Sequence, residues 1–191
     1  MLCVMTDASW NRQPRSGSQQ GYVMALGDKQ RGTETEAAMS IVAWSSTRIR
    51  RVVRSTLAAE AAALATGYDM VVYVRVLDSR LLGTKATEWD EQARDIKQET
   101  WIDCKSLNDM LHKTGGAASE QRVALDVHDV QQYIGDDCDT EADVLRWIST
   151  VWMLADPLTK PMAATTWTAL NEFIKTGRWK LSAPTGTAEK K

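Results

Sequence analysis

The chain has 191 residues, with 23 lysines and arginines against 25 aspartates and glutamates, and a formal net charge of −2. This balance excludes a protein that coats nucleic acid through overall positive charge alone. A hydrophobic content of 43% with eight tryptophans excludes a disordered chain. Three scattered cysteines exclude a disulfide framework or a Cys-x-x-Cys metal site, and the length favours one domain with a substantial core.

The sequence carries no predicted targeting or membrane segment. Its longest apolar runs span a handful of residues, and no basic region followed by an apolar stretch opens the chain. An odd cysteine count suits a reducing compartment. We therefore expect an intracellular protein, cytoplasmic or nuclear, that is neither secreted nor bound to a membrane; its oligomeric state is left open.

The first 45 residues predict three strands. Leu2–Thr6 is a short apolar run followed by Asp7, which is typical of a buried strand. The polar residues 11–20 predict a loop, and Gly21–Leu26 and Met39–Ser45 predict two further strands. Because short polar segments separate the three strands, we expect them to form an antiparallel meander.

An alanine-rich segment follows and predicts a long helix. Ser55 or Thr56 can cap its start, and apolar residues recur at spacings of 4, 3 and 4 from Leu57 onward, so the helix extends toward Leu82. Residues 83–98 are charged and lack an apolar period, which predicts a solvated loop or a marginal helix.

The second half predicts two more strands, at Thr100–Cys104 and Val144–Ser149, and three helices, at Lys105–Lys113, 119–134 and Thr165–Lys175. Residues 182–191 are polar and predict a disordered tail, which leaves a single domain over residues 1–181. A meander followed by β-α-β crossovers predicts an α/β fold with a mixed sheet and packed helices.

Four carboxylates occupy positions that suit metal chemistry. Asp7 and Asp103 follow apolar strands, Asp156 follows an apolar stretch, and Glu60 shares the buried stripe of the long helix. A carboxylate on an apolar face is costly unless it is paired or metal-bound, and Mg²⁺ prefers such oxygen ligands. The alternative is ordinary, since acids at strand ends commonly cap a helix or face water.

Arg48, Arg50, Arg51 and Arg54 form the one basic cluster, just before the long helix. It is either a solvated loop or a surface that contacts phosphates. The sequence contains no Gly-x-Ser-x-Gly elbow, P-loop or dinucleotide-binding glycine motif.

Four motifs in order resemble the ribonuclease H domain of copia-type LTR retrotransposon Pol polyproteins. They are Thr6-Asp7-Ala8-Ser9-Trp10, Ala43-Trp44-Ser45-Ser46 with Ser55-Thr56-Leu57-Ala58-Ala59-Glu60, Ile102-Asp103-Cys104-Lys105-Ser106-Leu107, and Leu154-Ala155-Asp156-Pro157-Leu158-Thr159-Lys160-Pro161. The last is the most specific, because the family has Leu-Ala-Asp-x-Leu-Thr-Lys-Pro there.

The resemblance implies a ribonuclease H-like fold and a metal-dependent endonuclease. The fold would be a five-stranded mixed sheet of order 3-2-1-4-5, with strand 2 antiparallel and helices on both faces. The enzyme would cut the RNA strand of RNA·DNA hybrids, beside a reverse transcriptase domain in the parent polyprotein. It would use two Mg²⁺ ions, for which Mn²⁺ can substitute. The implied catalytic and metal-binding residues are Asp7, Glu60, Asp103 and Asp156, and the implied substrate-binding residues are Ser9, Trp10, Arg50, Arg51, Arg54 and Ser106.

The sequence also departs from the family pattern near these motifs. Cys104 stands where the family has Asn, and Ala58 stands where it has the first acid of a Glu-Ala-Glu run. Two alternatives therefore stay open. One is an inactive ribonuclease H-fold remnant that binds nucleic acid or a partner, and the other is a related nuclease that acts on DNA.

Overall fold

A computed structural model describes residues 1–13, 17–27, 36–81, 83, 96–112, 120–134, 143–161 and 167–180. Its strands are β1 Leu2–Gln13, β2 Gly17–Gly27, β3 Glu36–Arg48, β4 Gln98–Ile102, β5 Val144–Trp147 and β6 Arg178–Lys180. Its helices are α1 Thr56–Leu81, α2 Lys105–Leu111, α3 Gln121–Gln131, α4 Asp156–Thr159 and α5 Thr168–Thr176, with a 3-10 turn at Thr150–Trp152. The predicted tail and most of the predicted loop at 83–98 lie outside the described residues.

The strands form one mixed sheet in the order β5-β4-β1-β2-β3-β6. β2 is antiparallel to both β1 and β3, whereas β4 is parallel to β1 and to β5. The predicted order 3-2-1-4-5 with an antiparallel second strand is therefore confirmed. The predicted count of five strands is wrong, because β6 adds a sixth strand beside β3. β6 has only three residues, too few for a recognisable pattern, and Gly177 in a left-handed conformation (φ 64°) turns the chain into it.

Helices pack on both faces of the sheet, as predicted. The side chains of β1 alternate, so that Leu2 and Val4 face α1 while Cys3 and Met5 face the opposite layer. On the first face, apolar residues of α1 pack with those of α2 and α3. On the second face, α5 and the segment 153–155 cover the sheet, and Trp101 meets Trp179 edge-on with ring centroids 5.2 Å apart.

The central helix α1 begins where predicted, with the backbone N–H of Ala58 donating to Ser55 Oγ at 3.1 Å. Gly67 lets α1 approach β1 closely. A Cβ at this position would lie only 2.4 Å from Thr6 Cγ2. The length and composition of α1 would suit a membrane span, but 56% of its most apolar stretch is buried in the fold. It is therefore a core helix of this domain.

A buried polar network joins α1 to the start of β5. Asp143 accepts hydrogen bonds from the Tyr68 hydroxyl and from the Arg75 guanidinium, whose Nη1 lies 2.9 Å away. Arg75 also donates to the carbonyl of Ile96 at 2.7 Å. These contacts fix the far half of α1 against the strand that follows Asp143.

The first hairpin is longer than the sequence predicts. β1 runs past Asp7 to Gln13, because β2 continues to pair with it as far as Gln13↔Gly17. The prediction of a loop at 11–20 is therefore wrong for residues 11–13 and 17–20. Strand pairing is made by the backbone, and so the polar side chains of this segment do not prevent it. What does end near Asp7 is the parallel pairing of β1 with β4, whose last pair is Thr6↔Ile102.

Candidate metal centre

Three aspartates from distant parts of the chain meet at one edge of the sheet. Asp7 follows the last parallel pair of β1 and β4, Asp103 directly follows β4, and Asp156 begins α4. One carboxylate oxygen from each lies within 4.8 Å of the other two. Asp7 is fully buried and Asp156 is 6% exposed, whereas Asp103 is half-buried. We call these three residues the aspartate triad.

Hydrogen bonds from neighbouring side chains orient the triad. Thr159 Oγ1 donates to Asp7 Oδ2, and Thr150 Oγ1 donates to Asp103 Oδ2 at 2.7 Å. The ammonium of Lys160 donates to Asp156 Oδ1 and lies 3.4 Å from Asp7 Oδ1. Asp103 and Asp156 thus each have one oxygen held by a neighbouring hydroxyl or ammonium group, whereas both oxygens of Asp7 are contacted.

The triad concentrates negative charge in a poorly solvated place. Two unit charges 4.8 Å apart repel by roughly 3 kcal/mol at an effective dielectric constant of about 20. Burial raises the pKa of Asp7 to about 6, although the Lys160 charge and the Thr159 hydroxyl oppose this rise. Burial also raises the pKa of Asp103, against the hydrogen bond from Thr150.

Glu60 lies beside the triad on the second turn of α1 and is only 6% exposed. Burial, followed by repulsion from Asp7 and Asp103, raises its pKa to about 9, although a hydrogen bond from the backbone of Ala8 opposes this. Glu60 is therefore protonated at neutral pH in the metal-free protein. The charges of Asp7 and Asp103 therefore act on Glu60, although Glu60 is not one of the three residues whose carboxylate oxygens lie within 4.8 Å of one another.

The donor set fits a hard divalent cation. Three carboxylates supply the oxygen ligands that Mg²⁺ and Mn²⁺ accept, and a positive ion would stabilise the carboxylate form of Asp7, whose pKa is raised by burial and, to a lesser degree, by the charges of Asp103 and Asp156. Asp103 is open enough to solvent for water or a phosphate oxygen to complete the coordination. Asp7, Asp103 and Asp156 could therefore hold such a cation, with Glu60 adjacent.

An open groove with a volume of about 560 Å³ begins three residues beyond Asp7 along β1. Three residues of strand span about 10 Å. The groove is lined by Trp10, Gly17, Ser18, Arg48, Ile49, Arg50, Arg51, Val52 and Val53. Trp10 is 40% exposed, and its indole Nε1 donates to the carbonyl of Val53 at 3.1 Å. The groove thus combines an aromatic side chain with guanidinium groups.

The predicted substrate-binding residues lie in different environments. Arg50 and Arg54 are exposed, whereas Arg51 makes a bidentate ion pair with Asp126 of α3. Trp10 lines the groove. Ser9 is buried, and its hydroxyl donates to the carbonyl of Thr159 at 2.7 Å, so Ser9 anchors α4.

Ser106 lies in the first turn of α2, three residues after Asp103. It is exposed, and its Oγ is 3.3 Å from Cys104 Sγ. The cysteine that departs from the family pattern therefore contacts a residue that the resemblance assigns to substrate binding.

Sequence reasoning missed Thr150, Thr159 and Lys160 as side chains of the site. Thr159 and Lys160 lie inside the Leu154–Pro161 motif, so the motif itself contained the signal. Thr150 is part of the 3-10 turn after β5, and no pattern in its neighbourhood distinguishes it from a surface threonine.

No protein-family model and no curated protein sequence matches this chain. Two solved structures resemble its fold. RNase H1 from the halophilic archaeon Halobacterium salinarum NRC-1 is 14% identical with a TM-score of 0.47, over 83% of this chain and 93% of that one. LC11-RNase H1, isolated from compost by a metagenomic approach, is 17% identical with a TM-score of 0.44, over 83% of this chain and 91% of that one. At this level of identity, the likeness concerns the fold and not the side chains of the site.

Proposed function

We propose that this protein is a metal-dependent endonuclease that hydrolyses the RNA strand of RNA·DNA hybrids. The observation that carries the proposal is the aspartate triad. Its three residues come from separate segments of the chain, and one carboxylate oxygen of each lies within 4.8 Å of the other two. A bound pair of Mg²⁺ ions would activate the attacking water and stabilise the leaving oxygen of a phosphodiester. The four-motif resemblance adds the substrate, since the family acts on such hybrids.

The residues of this chain have distinct roles in the proposed reaction. Asp7, Asp103 and Asp156 would hold the cations, and Glu60 of α1 would complete the ligand set. Thr159 and Thr150 donate hydrogen bonds to Asp7 and Asp103, and these contacts orient the two carboxylates. Because these hydrogen bonds exist before any ligand binds, little ordering is needed when a cation enters.

The groove at Trp10 is the proposed contact for the hybrid backbone. Guanidinium groups at Arg48 and Arg50 suit phosphates, and the exposed indole of Trp10 suits a sugar or base face. Such contacts read the shape, the phosphates and the 2′-hydroxyls of a hybrid rather than its base sequence. This is the recognition expected of an enzyme that must act on hybrids of any sequence.

The test is cleavage of a 5′-labelled RNA·DNA hybrid in Mg²⁺ by the wild-type protein and by Asp103→Asn. We expect the variant to cut at least about a hundredfold more slowly, since a cation that stabilises the transition state is then held poorly. Asp109→Asn is the matched control, because Asp109 is an exposed aspartate of α2 that pairs with Lys105. It should cut at the wild-type rate and leave the same 3′-hydroxyl and 5′-phosphate ends.

Other outcomes of this assay favour the alternatives. Binding of the hybrid without cleavage by the wild-type protein would favour a non-catalytic remnant. Cleavage of duplex DNA in preference to the hybrid would favour a DNA nuclease. Cleavage that persists unchanged in Asp103→Asn would refute the assignment of the triad.

We also propose a copia-type retrotransposon origin, with this domain normally made beside a reverse transcriptase inside an intracellular Pol polyprotein. The support is the order of the four motifs from Asp7 to Pro161. Sequencing the genomic DNA upstream of the coding region tests it. Reverse transcriptase motifs in the same reading frame are the expected result, and an unrelated upstream gene would contradict the proposal.

A further inference from the structure

Lys160 places a positive charge inside the aspartate triad. It directly follows α4, and its ammonium donates to Asp156 Oδ1 and lies 3.4 Å from Asp7 Oδ1. The pair with Asp156 has the i,i+4 spacing of one helical turn. The Lys160 side chain is 22% exposed, so it is packed against the triad but retains a path to solvent.

The ammonium contacts the oxygen atoms that a divalent cation would need. Lys160 meets the Oδ1 atoms of Asp7 and Asp156, while Thr159 holds the other oxygen of Asp7, Oδ2. An ammonium that stayed on these Oδ1 atoms would lie close to a dication bound there, and the two positive charges would repel each other strongly in this poorly solvated place. The contact of Thr159 can persist after the ammonium leaves, which preserves the orientation of Asp7.

We infer that Lys160 is a built-in counter-cation of the metal-free protein, and that its ammonium must leave Asp7 and Asp156 before a divalent cation binds. This inference rests on the metal centre of the proposed function. Lysine suits the role, because its ammonium is a compact charge on a flexible four-carbon stem. Without a divalent cation, the ammonium of Lys160 offsets the repulsion between the carboxylates of Asp7 and Asp156. Because a cation must displace this ammonium, Lys160 also weakens the apparent affinity of the triad for the cation.

The first experiment compares Mn²⁺ binding to the wild-type protein, Lys160→Met and Lys105→Met by electron paramagnetic resonance of free Mn²⁺, at one pH and ionic strength. We expect Lys160→Met to bind Mn²⁺ about tenfold more tightly, the equivalent of one charge-assisted hydrogen bond that no longer has to be broken. Lys105 is exposed and pairs with Asp109 away from the triad, so Lys105→Met should match the wild-type protein. Lys160→Arg keeps the charge and should not gain affinity.

Thermal unfolding in EDTA supplies a second measurement. Lys160→Met should unfold at a lower temperature than the wild-type protein, because the triad has lost its counter-charge, and saturating Mn²⁺ should raise its midpoint by more than that of the wild-type protein. Lys105→Met should show neither change. A metal-free Lys160→Met as stable as the wild-type protein would contradict the counter-cation role.

A third experiment uses the unmodified protein. Acetylation of lysines by an amine-reactive ester, followed by mass spectrometry, should modify Lys160 severalfold faster when Mg²⁺ is present, while Lys105 keeps its rate. An unchanged rate at Lys160 would overturn the inference.

These outcomes separate the inference from the proposed function. If the wild-type protein binds Mn²⁺ and cuts the hybrid but Lys160→Met binds no more tightly, only the inference fails. If Mn²⁺ binds as expected but no hybrid is cut, the inference stands and the proposed activity fails. If neither protein binds Mn²⁺, both are overturned.

Discussion

Replacing Glu60 by glutamine should change the pH dependence of stability in the metal-free protein. The pKa of Glu60 is raised from its usual 4.5 to about 9 in the folded state. Between these values the folded protein carries one more proton at Glu60 than the unfolded chain does. The contribution of Glu60 to the free energy of unfolding is therefore fully present below about pH 4.5 and is lost as the pH rises toward 9, with a slope of about −1.4 kcal/mol per pH unit.

Between pH 6.5 and pH 8.0 this slope lowers the free energy of unfolding of the wild-type protein by about 2 kcal/mol. The same change of pH should not cause this loss in Glu60→Gln. Asp7, with a pKa of about 6, is already largely ionised over this interval and contributes little. Groups that titrate equally in both proteins cancel when the two free energies of unfolding are subtracted.

The measurement is urea unfolding in EDTA at the two pH values, followed by tryptophan fluorescence, for the wild-type protein and for Glu60→Gln. Glu120→Gln at the start of α3 makes the same substitution away from the triad and should follow the wild-type protein. Saturating Mg²⁺ should remove most of the difference, because a nearby dication favours the carboxylate form of Glu60. Equal losses of stability in wild-type and Glu60→Gln proteins would refute the reasoning, since Glu60 would then not change its proton occupancy on unfolding.

Three further predictions concern the fold and the groove. Gly67→Ala should lower the free energy of unfolding by about 1–3 kcal/mol, because its Cβ would lie 2.4 Å from Thr6 Cγ2; an unchanged urea midpoint would contradict this close approach of α1 and β1. Asp143→Asn should cost about 3 kcal/mol or more, because it leaves a buried guanidinium without its counter-charge; calorimetry measures the loss, and full retention of the melting temperature would contradict it. Joint replacement of Arg50 and Arg54 by alanine should reduce the slope of log K against log[salt] for hybrid binding by about 2, one for each phosphate contact, and an unchanged slope would show that neither contacts phosphate.

Strong periodic patterns made much of the fold predictable. The 4-3-4 apolar spacing located α1, whose observed end at Leu81 is one residue from the expected one. Short apolar runs located the five strands β1 to β5, and the resemblance supplied their order in the sheet. The extension of β1 to Gln13 was not predictable, because backbone pairing between polar segments leaves no apolar signature in the sequence.

The aspartates of the site were predictable for a geometric reason. Parallel neighbours such as β1 and β4 end at the same edge of the sheet, so residues that follow their last pair must be close. Lys160 was not predicted, because a basic residue near a cation site runs against the simple expectation of charge. Its i,i+4 spacing from Asp156 acquires meaning only once α4 is seen to begin at that aspartate.

The position of α4 has a consequence for the order in which the site is completed during synthesis. Ser9 of β1 and Ser46 of β3 donate hydrogen bonds to the carbonyls of Thr159 and Leu158, so two of the first three strands hold α4, a segment that is made more than a hundred residues later. A nascent chain that has folded its sheet as far as β4 already holds two aspartates of the triad but lacks the third. The aspartate triad is therefore incomplete until synthesis reaches Asp156, about fifty residues after Asp103.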